Sequence, residues 1–441
     1  MTPGIALRPD AVVEHDGEHT TITQPFSTVT VRGLGPEIAA LLAGLRDRPA
    51  TVAELTGRLD SARAAALLRE LLERLNHLLI HTLDPALRVV PVAREAAFAP
   101  FDLVSGDSVR LSGFAFARRC EAGLALESPL ARHRVELGRD AVPLLAALAR
   151  PVLVKEVPAE EVAYLAGAGM VEVARDGLFP EDGDPVLRMW DFHDLLFHSR
   201  SRLGRFDGES GATYRFLGEL PPEPVTKPPP SGRVVDLPRP GRLEAGPPFG
   251  AVLESRRSVR AYGPPPTIAD LGELLYRSAR VKSLAEPTAA EPYASSVRPY
   301  PGGGAAYELE LYLLVRRCDS LDGGLYHYDP LGHRLTELEH RPGEAEATLA
   351  RARQAAGGVA PDVLIIITAR FRRLSWKYAG MAYATLLKNV GVLYQTFYLV
   401  ATAMGLAPCG LGNGDSDLSA RLLGLDWAEE SSVGEFLIGR P

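Results

Sequence analysis

The chain has 441 residues, of which 46% are hydrophobic and 23% charged, and its formal net charge is −7. At about 100–200 residues per domain, this length predicts two or three domains with hydrophobic cores. The lack of a basic patch argues against a nucleic-acid partner. Cys120, Cys318 and Cys409 are too few and too far apart for a disulfide framework or a zinc site.

The N-terminus lacks the basic and then apolar pattern of a secretory signal, so we expect a cytoplasmic protein. Residues 1–90 then place β-rich runs before helical patterns. Strands are predicted over 4–13 and 20–31, and helices over 35–45, from Thr51, and over 62–79. Thr51 and Glu54 have the spacing of a capping box.

Residues 91–188 repeat this plan. Strands are predicted over 108–116, 124–137 and 170–174, with a turn at Gly177, and helices over 140–149, capped by Asp140, and 160–168. Strands, small helices and a short hairpin are typical of a winged helix. We therefore predict two winged-helix-like modules, at 1–90 and 91–188.

Residues 189–248 are predicted to connect these modules to a second region. An aromatic helix is expected over 189–201, where His193 and His198 are five residues apart, a poor spacing for a helical metal pair. Ten prolines among the 28 residues of 221–248 predict an extended linker. We expect no metal site in the chain.

Residues 249–441 mix helices with strands and predict an α+β domain. Helices are expected over 268–279 and 376–404, the second interrupted near Gly391, and strands over 309–315, 363–369 and 434–438. Continuous apolar runs at 309–315 and 363–369 suit strands buried on both faces. The charge-free stretch 390–413 has the length of a membrane span, but its polar residues and its breaks at Gly405 and Pro408 favour a buried helix.

Two patches of this domain are suited to a phosphorylated, ring-containing ligand. Ser255–Tyr262 alternates arginines with serines, which favours a bidentate grip on phosphate, although a solvated basic turn has the same pattern. Ser295–Ala305 contains three consecutive glycines, which let backbone amides approach a ligand, although an ordinary loop could also have them. Neither patch is a P-loop or a Rossmann fingerprint.

Two further patches are suited to proton and hydride chemistry. Lys377 and Tyr378 lie at the predicted start of a helix, where the ammonium and the helix dipole would lower the pKa of the phenol. Either residue could act as the base, although such pairs also occur at ordinary helix starts. Amides of the loop 405–412 could stabilise negative charge on a ligand, whereas Cys409 is expected only to pack.

Together these patches resemble the nitroreductase-like flavoproteins and, more narrowly, the SagB-type, FMN-dependent azoline dehydrogenases. The resemblance covers residues 190–441 and rests on Ser-Arg-Arg-Ser-Val-Arg, Arg-Pro-Tyr-Pro-Gly-Gly-Gly, Gly-Leu-Tyr-His-Tyr-Asp-Pro, Lys-Tyr and the Gly405–Gly412 loop, in that order. Glu308 departs from the family, which usually has proline there. Because the chain stops at Pro441, the arginines near residue 256 would carry more of the phosphate contact.

The resemblance implies FMN-dependent oxidation of thiazolines or oxazolines to thiazoles or oxazoles in a ribosomally made peptide. It implies Lys377 and Tyr378 as the catalytic pair, and nine residues around FMN: Arg256, Arg257, Ser258, Arg260, Arg298, Gly303, Gly304, Pro408 and Gly410. It also implies a homodimer, a precursor-peptide substrate and a cyclodehydratase partner. The N-terminal modules would clamp a leader peptide by adding it to a sheet edge.

Two alternatives stay open at this point. A generic NAD(P)H-dependent nitroreductase or flavin reductase would not need the Lys-Tyr pair or the long N-terminal region. A non-catalytic leader-peptide-binding scaffold would not need the arginine and glycine patches. The sequence does not distinguish a thiazoline from an oxazoline substrate.

Overall fold

The computed structural model describes residues 2–24, 27–241 and 246–441, and it contains two compact units, 1–209 and 210–441. The boundary falls inside the segment 189–248 predicted as a connection. The division into four parts stays a prediction. Among the described residues, no helix combines the length and the apolar character that a membrane span needs.

The first unit begins with strands and then turns helical. Its elements up to residue 91 are β1 (Thr2–Leu7), β2 (Val12–His15), β3 (His19–Gln24), β4 (Ser27–Arg32), α1 (Pro36–Gly44), α2 (Val52–Gly57), α3 (Ala62–Arg74), β5 (Leu79–Asp84) and β6 (Leu87–Pro91). The predicted capping box is present, since Thr51 Oγ1 accepts from the Glu54 amide and Glu54 accepts from the Thr51 amide. The helix predicted over 62–79 ends at Arg74, because Leu79 already pairs in β5.

The remainder of the first unit repeats the order of strands followed by helices. Its elements are β7 (Ser108–Leu111), β8 (Phe116–Cys120), β9 (Gly123–Glu127), β10 (His133–Leu137), α4 (Val142–Ala147), β11 (Val152–Leu153), α5 (Ala159–Gly167), β12 (Val171–Ala174), α6 (Pro180–Gly183) and α7 (Phe192–Arg200). The run 124–137 is a pair of strands, not one, and Asp140 caps no helix because it lies inside a 3₁₀ turn at Arg139–Ala141. Winged-helix character stays a prediction.

One antiparallel sheet crosses the first unit in the order β1-β5-β6-β10-β9-β8. It takes strands from both halves of the predicted repeat, joined where β6 pairs with β10. Smaller sheets, β2-β3-β4 and β11-β7-β12, flank it. Two separate cores lie against these sheets, one from residues 5–79 and one from residues 83–171.

The second unit is the predicted α+β domain. Its elements are β13 (Gly211–Ala212), β14 (Val234–Asp236), α8 (Phe249–Ser255), α9 (Ile268–Ala279), β15 (Ser283–Ala285), β16 (Ser295–Val297), β17 (Leu309–Val315), β18 (Gly324–Asp329), β19 (Arg334–Leu338), α10 (Pro342–Ala355), β20 (Val363–Arg370), α11 (Phe371–Ser375), β21 (Tyr378–Ala379), α12 (Ala382–Ala403), β22 (Ala407–Leu411), α13 (Ser416–Leu423) and β23 (Glu430–Gly439).

A seven-stranded sheet in the order β14-β19-β18-β17-β20-β23-β22 forms the centre of this unit. Every residue of β17 and β20 is buried, as predicted from their continuous apolar sequences. Side chains of α9 and α12 cover one face, and those of α10 and α13 cover the other. The proline-rich segment contributes β14, which lies at the sheet edge, where prolines are tolerated.

The predicted long helix over 376–404 is shorter than expected. It begins at Ala382 and runs without a break through Gly391 to Ala403. Gly380 has a φ of +66°, a left-handed conformation that a helix interior excludes. Lys377 and Tyr378 therefore precede the helix and do not lie at its first turn.

Candidate functional site

Lys377 and Tyr378 lie in the connection between α11 and α12. The Lys377 amide closes the end of α11 by donating to the Leu374 carbonyl at 3.2 Å. Tyr378 then enters β21, a two-residue strand that pairs with β13. The chain segment that opens the second unit thus fixes the backbone of the pair.

The Lys377 ammonium lies in a pocket of aromatic rings. Its Nζ donates to the Tyr293 hydroxyl at 2.9 Å and to the Gly304 carbonyl at 3.3 Å. It is 4.5 Å from the centroid of the Tyr293 ring, 5.6 Å from that of Tyr378 and 5.7 Å from that of Tyr214. With 4% of the residue exposed, these partners replace most of its water.

The electrostatics of the pair differ from the sequence prediction. Burial raises the pKa of Tyr378, and the Lys377 charge only partly opposes this rise. Burial tends to lower the pKa of Lys377, but the hydrogen bond to Tyr293 and the Tyr293 and Tyr378 hydroxyls raise it overall. The predicted lowering of the Tyr378 pKa is therefore wrong, because the residue is buried and is not at a helix N-terminus. Both groups hold their protons at neutral pH.

Gly304 brings backbone against the two functional groups. Its φ is +59°, and a Cβ atom there would lie 2.8 Å from Lys377 Nζ and closer still to the Tyr378 hydroxyl. The Gly303 amide donates to Asn389 Oδ1 at 3.0 Å, and a Cβ atom at Gly303 would collide with Thr385. Both predicted glycines are therefore required by close approach.

Glu308, which stands where the family usually has proline, supports the loop at Gly303 through Asn389. Asn389 Nδ2 donates to Glu308 Oε1 at 2.8 Å, which orients the Asn389 carbonyl toward the Gly303 amide. Burial raises the pKa of Glu308, and the Arg298 charge opposes this rise. Arg298 is 6% exposed, and its Nε and Nη2 atoms have no hydrogen-bond partner among the described residues.

The predicted phosphate patch forms a second group around Tyr398 of α12. The Tyr398 hydroxyl lies 2.7 Å from Ser258 Oγ and accepts from the Gly410 amide at 2.7 Å. The Arg256 guanidinium lies 5.1 Å from the centroid of the Tyr398 ring. The Val259 amide donates to the Pro408 carbonyl at 2.8 Å, which ties the arginine segment to β22.

The structure thus brings Gly303, Gly304, Lys377 and Tyr378 together, and separately Arg256, Ser258, Pro408 and Gly410. Helix α12 connects the groups, since Asn389 and Tyr398 are about 13 Å apart along its axis at 1.5 Å per residue. Arg257 and Arg260 are exposed beside the second group in the chain. Cys409 is buried, which raises its pKa, as expected of a packing residue.

Several functional neighbours are absent from the sequence patches. Tyr293 and Tyr214 contact Lys377 from 84 and 163 residues away, and Asn389 and Tyr398 lie inside a helix whose pattern indicates only burial. The buried Arg373 guanidinium donates to the Glu223, Ala294 and Ala306 carbonyls. The sequence offered one signal for Arg373 and Asn389: helical spacing places these polar side chains on the buried face of a helix.

Glu435, near the loop after β22, gives this unit a pH-dependent stability. Burial, and then the nearby Asp415 charge, raise its pKa to about 7 from 4.5. The folded state therefore keeps a proton that the unfolded chain releases, and the stability present below pH 4.5 is lost as the pH rises to about 7.

We expect Glu435→Gln to raise the free energy of unfolding by up to about 3 kcal/mol at pH 8 and to change it little at pH 4.5. Urea denaturation at the two pH values measures this difference, with the exposed Glu346→Gln as the control. An equal effect of Glu435→Gln at both pH values would contradict the expectation.

Comparison with known proteins assigns the second unit to a protein family. The nitroreductase family model matches residues 253–440, and the model of the cyanobactin oxidase ThcOx matches residues 109–207. A Methanocaldococcus jannaschii protein whose name places it among the nitroreductases is 31% identical over 162 residues, which are 36% of this chain and 76% of that protein. The chain belongs to the nitroreductase family. It is an oxidoreductase of this flavin-dependent family, as the motifs predict.

Two further relatives of this nitroreductase-family chain come from Escherichia coli. The microcin B17-processing protein McbC is 31% identical over 118 residues, which are 25% of this chain and 42% of McbC. The structure of the microcin synthetase McbBCD complex with truncated pro-MccB17 bound is 20% identical, with a TM-score of 0.34, over 61% of this chain and 99% of that chain. The cyanobactin oxidase and McbC matches confirm the predicted resemblance to the peptide-oxidising branch; a structural likeness at that TM-score adds nothing to it.

Proposed function

We propose that this protein oxidises thiazoline or oxazoline rings of a precursor peptide to thiazoles or oxazoles. The observation that carries the proposal is the placement of Lys377 and Tyr378 against the Gly304 backbone in a nitroreductase-family domain. The matches to a cyanobactin oxidase and to a microcin-processing protein support a peptide substrate.

FMN fits the residues present. Arg298 offers two buried nitrogens that lack hydrogen-bond partners among the described residues, as a site for a polar ligand would. The Gly303–Gly304 backbone lies directly against Lys377 and Tyr378, so a flavin beside this backbone would also lie beside the pair. In this proposal Arg256, Arg257, Ser258 and Arg260 hold the phosphate, while Arg298, Gly303, Gly304, Pro408 and Gly410 surround the ring. FMN would supply the two-electron acceptor for azoline oxidation.

The chain's own residues supply the proton chemistry. Oxidation of an azoline removes a proton and a hydride, so a base must stand beside the ring carbon that loses the proton. Tyr293 holds Lys377 as an ammonium, which leaves the Tyr378 hydroxyl oxygen as the group that exchanges the proton. Because both side chains hold their protons at neutral pH, Tyr378 must first release its own proton to solvent. The resulting phenolate, which the Lys377 charge favours, then takes the proton from the ring carbon.

The substrate peptide and the protein partners belong to the same proposal. Among the described residues, β8 pairs only with β9 and forms one end of the six-stranded sheet, so a leader peptide could add to its outer edge. Exposed apolar side chains on α8 and α12, namely Phe249, Leu253 and Leu387, support a homodimer through these helices. A cyclodehydratase partner and a cytoplasmic location complete the proposal.

An absorbance spectrum of the purified protein tests the function, followed by anaerobic addition of an azoline-containing peptide and then of NADPH. Flavin absorbance that the peptide bleaches and NADPH does not would support azoline oxidation. Bleaching by NADPH alone would favour a small-molecule nitroreductase, the second candidate, which the M. jannaschii relative supports. A protein without flavin absorbance would favour the peptide-binding scaffold.

A further inference from the structure

Tyr293 lies between the two buried cations of this site. Its ring centroid is 4.5 Å from Lys377 Nζ and 4.9 Å from the Arg373 guanidinium carbon. Its hydroxyl accepts from Lys377 Nζ at 2.9 Å and donates to the Gly304 carbonyl. The residue is 1% exposed. Tyr293 therefore contacts the reactive lysine with both its ring and its oxygen.

The hydrogen bond from Tyr293 to Gly304 decides which atom donates in the contact between Tyr293 and Lys377. A phenol has one proton, and here the Gly304 carbonyl accepts it. The hydroxyl oxygen thus presents only lone pairs to Lys377 and favours a nitrogen that donates. The negative face of the ring attracts the same positive charge.

The other groups facing Lys377 do less to hold it. Tyr214 and Tyr378 present rings at 5.7 and 5.6 Å, further away than that of Tyr293, and the hydrogen bond of Tyr214 raises the pKa of Lys377 less than that of Tyr293 does. Glu291 has a carboxylate oxygen 4.0 Å from Nζ, but its side chain is 56% exposed and is therefore screened by solvent.

We propose that Tyr293 is the positioning residue of the site, which holds the Lys377 ammonium between the Gly304 carbonyl and the Tyr378 hydroxyl. The inference rests on the proposed function only in assigning Lys377 to the reaction. In the wild-type protein, Tyr293 opposes the effect of burial on the pKa of Lys377. Loss of its hydroxyl removes the largest interaction that opposes burial and should lower the pKa of Lys377.

The test is the pH dependence of Lys377 acetylation by limiting acetic anhydride, measured by mass spectrometry on the full chain. We expect Tyr293→Phe to move the midpoint of Lys377 labelling down by about one pH unit. Limited access to a buried lysine lowers the labelling rate at every pH but leaves the midpoint unchanged. The matched control is Tyr326→Phe, which also removes a buried hydroxyl that donates to a backbone carbonyl, that of Asp322.

An unchanged Lys377 midpoint in Tyr293→Phe, or an equal shift in Tyr326→Phe, would overturn the inference. Should Tyr293→Phe fail to fold, 3-fluorotyrosine at position 293 keeps the ring and the hydroxyl but makes the phenol more acidic. Its phenolate then forms before Lys377 titrates and favours the ammonium, so the midpoint should rise. The labelling needs no azoline. A wild-type protein that leaves azolines unchanged would therefore overturn the proposed function and leave the comparison of midpoints intact.

Discussion

Replacement of Lys377 by alanine or Tyr378 by phenylalanine is expected to lower azoline oxidation by about 100-fold or more, the usual contribution of a positioned acid or base. Tyr378→Phe removes the oxygen that lies against Gly304, and Lys377→Ala removes the charge that favours its phenolate. Neither change alters the arginine patch around Tyr398, so both variants should still bind flavin. The fall should appear in kcat, measured by azole formation under saturating peptide.

The control for this prediction is Lys282→Ala, which removes an exposed lysine of the same unit. Its turnover should stay near that of the wild-type protein. Near-full turnover in both Lys377→Ala and Tyr378→Phe would show that the pair does not carry the chemistry. Loss of flavin absorbance in either variant would instead assign that residue to cofactor binding.

Replacement of Arg373 by methionine is expected to lower the free energy of unfolding by about 3 kcal/mol, which is large for one substitution. The guanidinium donates to the Ala306 carbonyl at 2.9 Å and to the Glu223 carbonyl at 2.8 Å, and also to that of Ala294. Methionine fills much of the volume but leaves the buried Ala306 carbonyl without a donor, at a cost of about 1–3 kcal/mol, and the part-buried Glu223 and Ala294 carbonyls without one at a smaller cost each. Burial and nearby arginines lower the Arg373 pKa to about 10. The charged guanidinium is therefore costly to bury, and its removal offsets part of the loss.

Urea denaturation at pH 7 measures this effect, with Arg372→Ala as the matched control. Arg372 precedes Arg373 in α11 but is exposed, and its contact with Glu223 at 3.5 Å is a surface ion pair. We expect that control to change the free energy of unfolding by less than about 1 kcal/mol. Similar losses in the two variants would mean that the three carbonyls find other donors.

Apolar periodicity was enough to predict the central elements of the second unit. Leu309–Val315 and Val363–Arg370 are strands, as expected of short, continuous runs of apolar β-formers that are buried on both faces of a sheet. The boundaries near the site were harder to predict. The apolar sequence continues from Trp376 to Met404, yet the left-handed Gly380 delays the helix to Ala382. The exposed Gly391 does not interrupt the helix, because the burial of neighbours such as Val390 and Leu393 outweighs the low helix propensity of glycine.

The candidate site was predictable only in part, for a similar reason. Lys377, Tyr378, Gly303 and Gly304 belong to short motifs and could be chosen from the sequence. Tyr293 and Arg373 act through backbone carbonyls and through partners far along the chain, which a local pattern does not encode. The direction of the Tyr378 pKa was missed because burial depends on that same long-range packing.

The six-stranded sheet of the first unit limits how independently its two halves can change. Residues 133–137 and 87–91 exchange backbone hydrogen bonds at its middle, so separating the halves would leave two five-residue strand edges unpaired. Neither half is thus a freely exchangeable part, whatever ancestry the repeated pattern has. Halves joined in this way can change in sequence only as far as their shared strand pair permits, and residues 87–91 and 133–137 are where that restraint should be strongest.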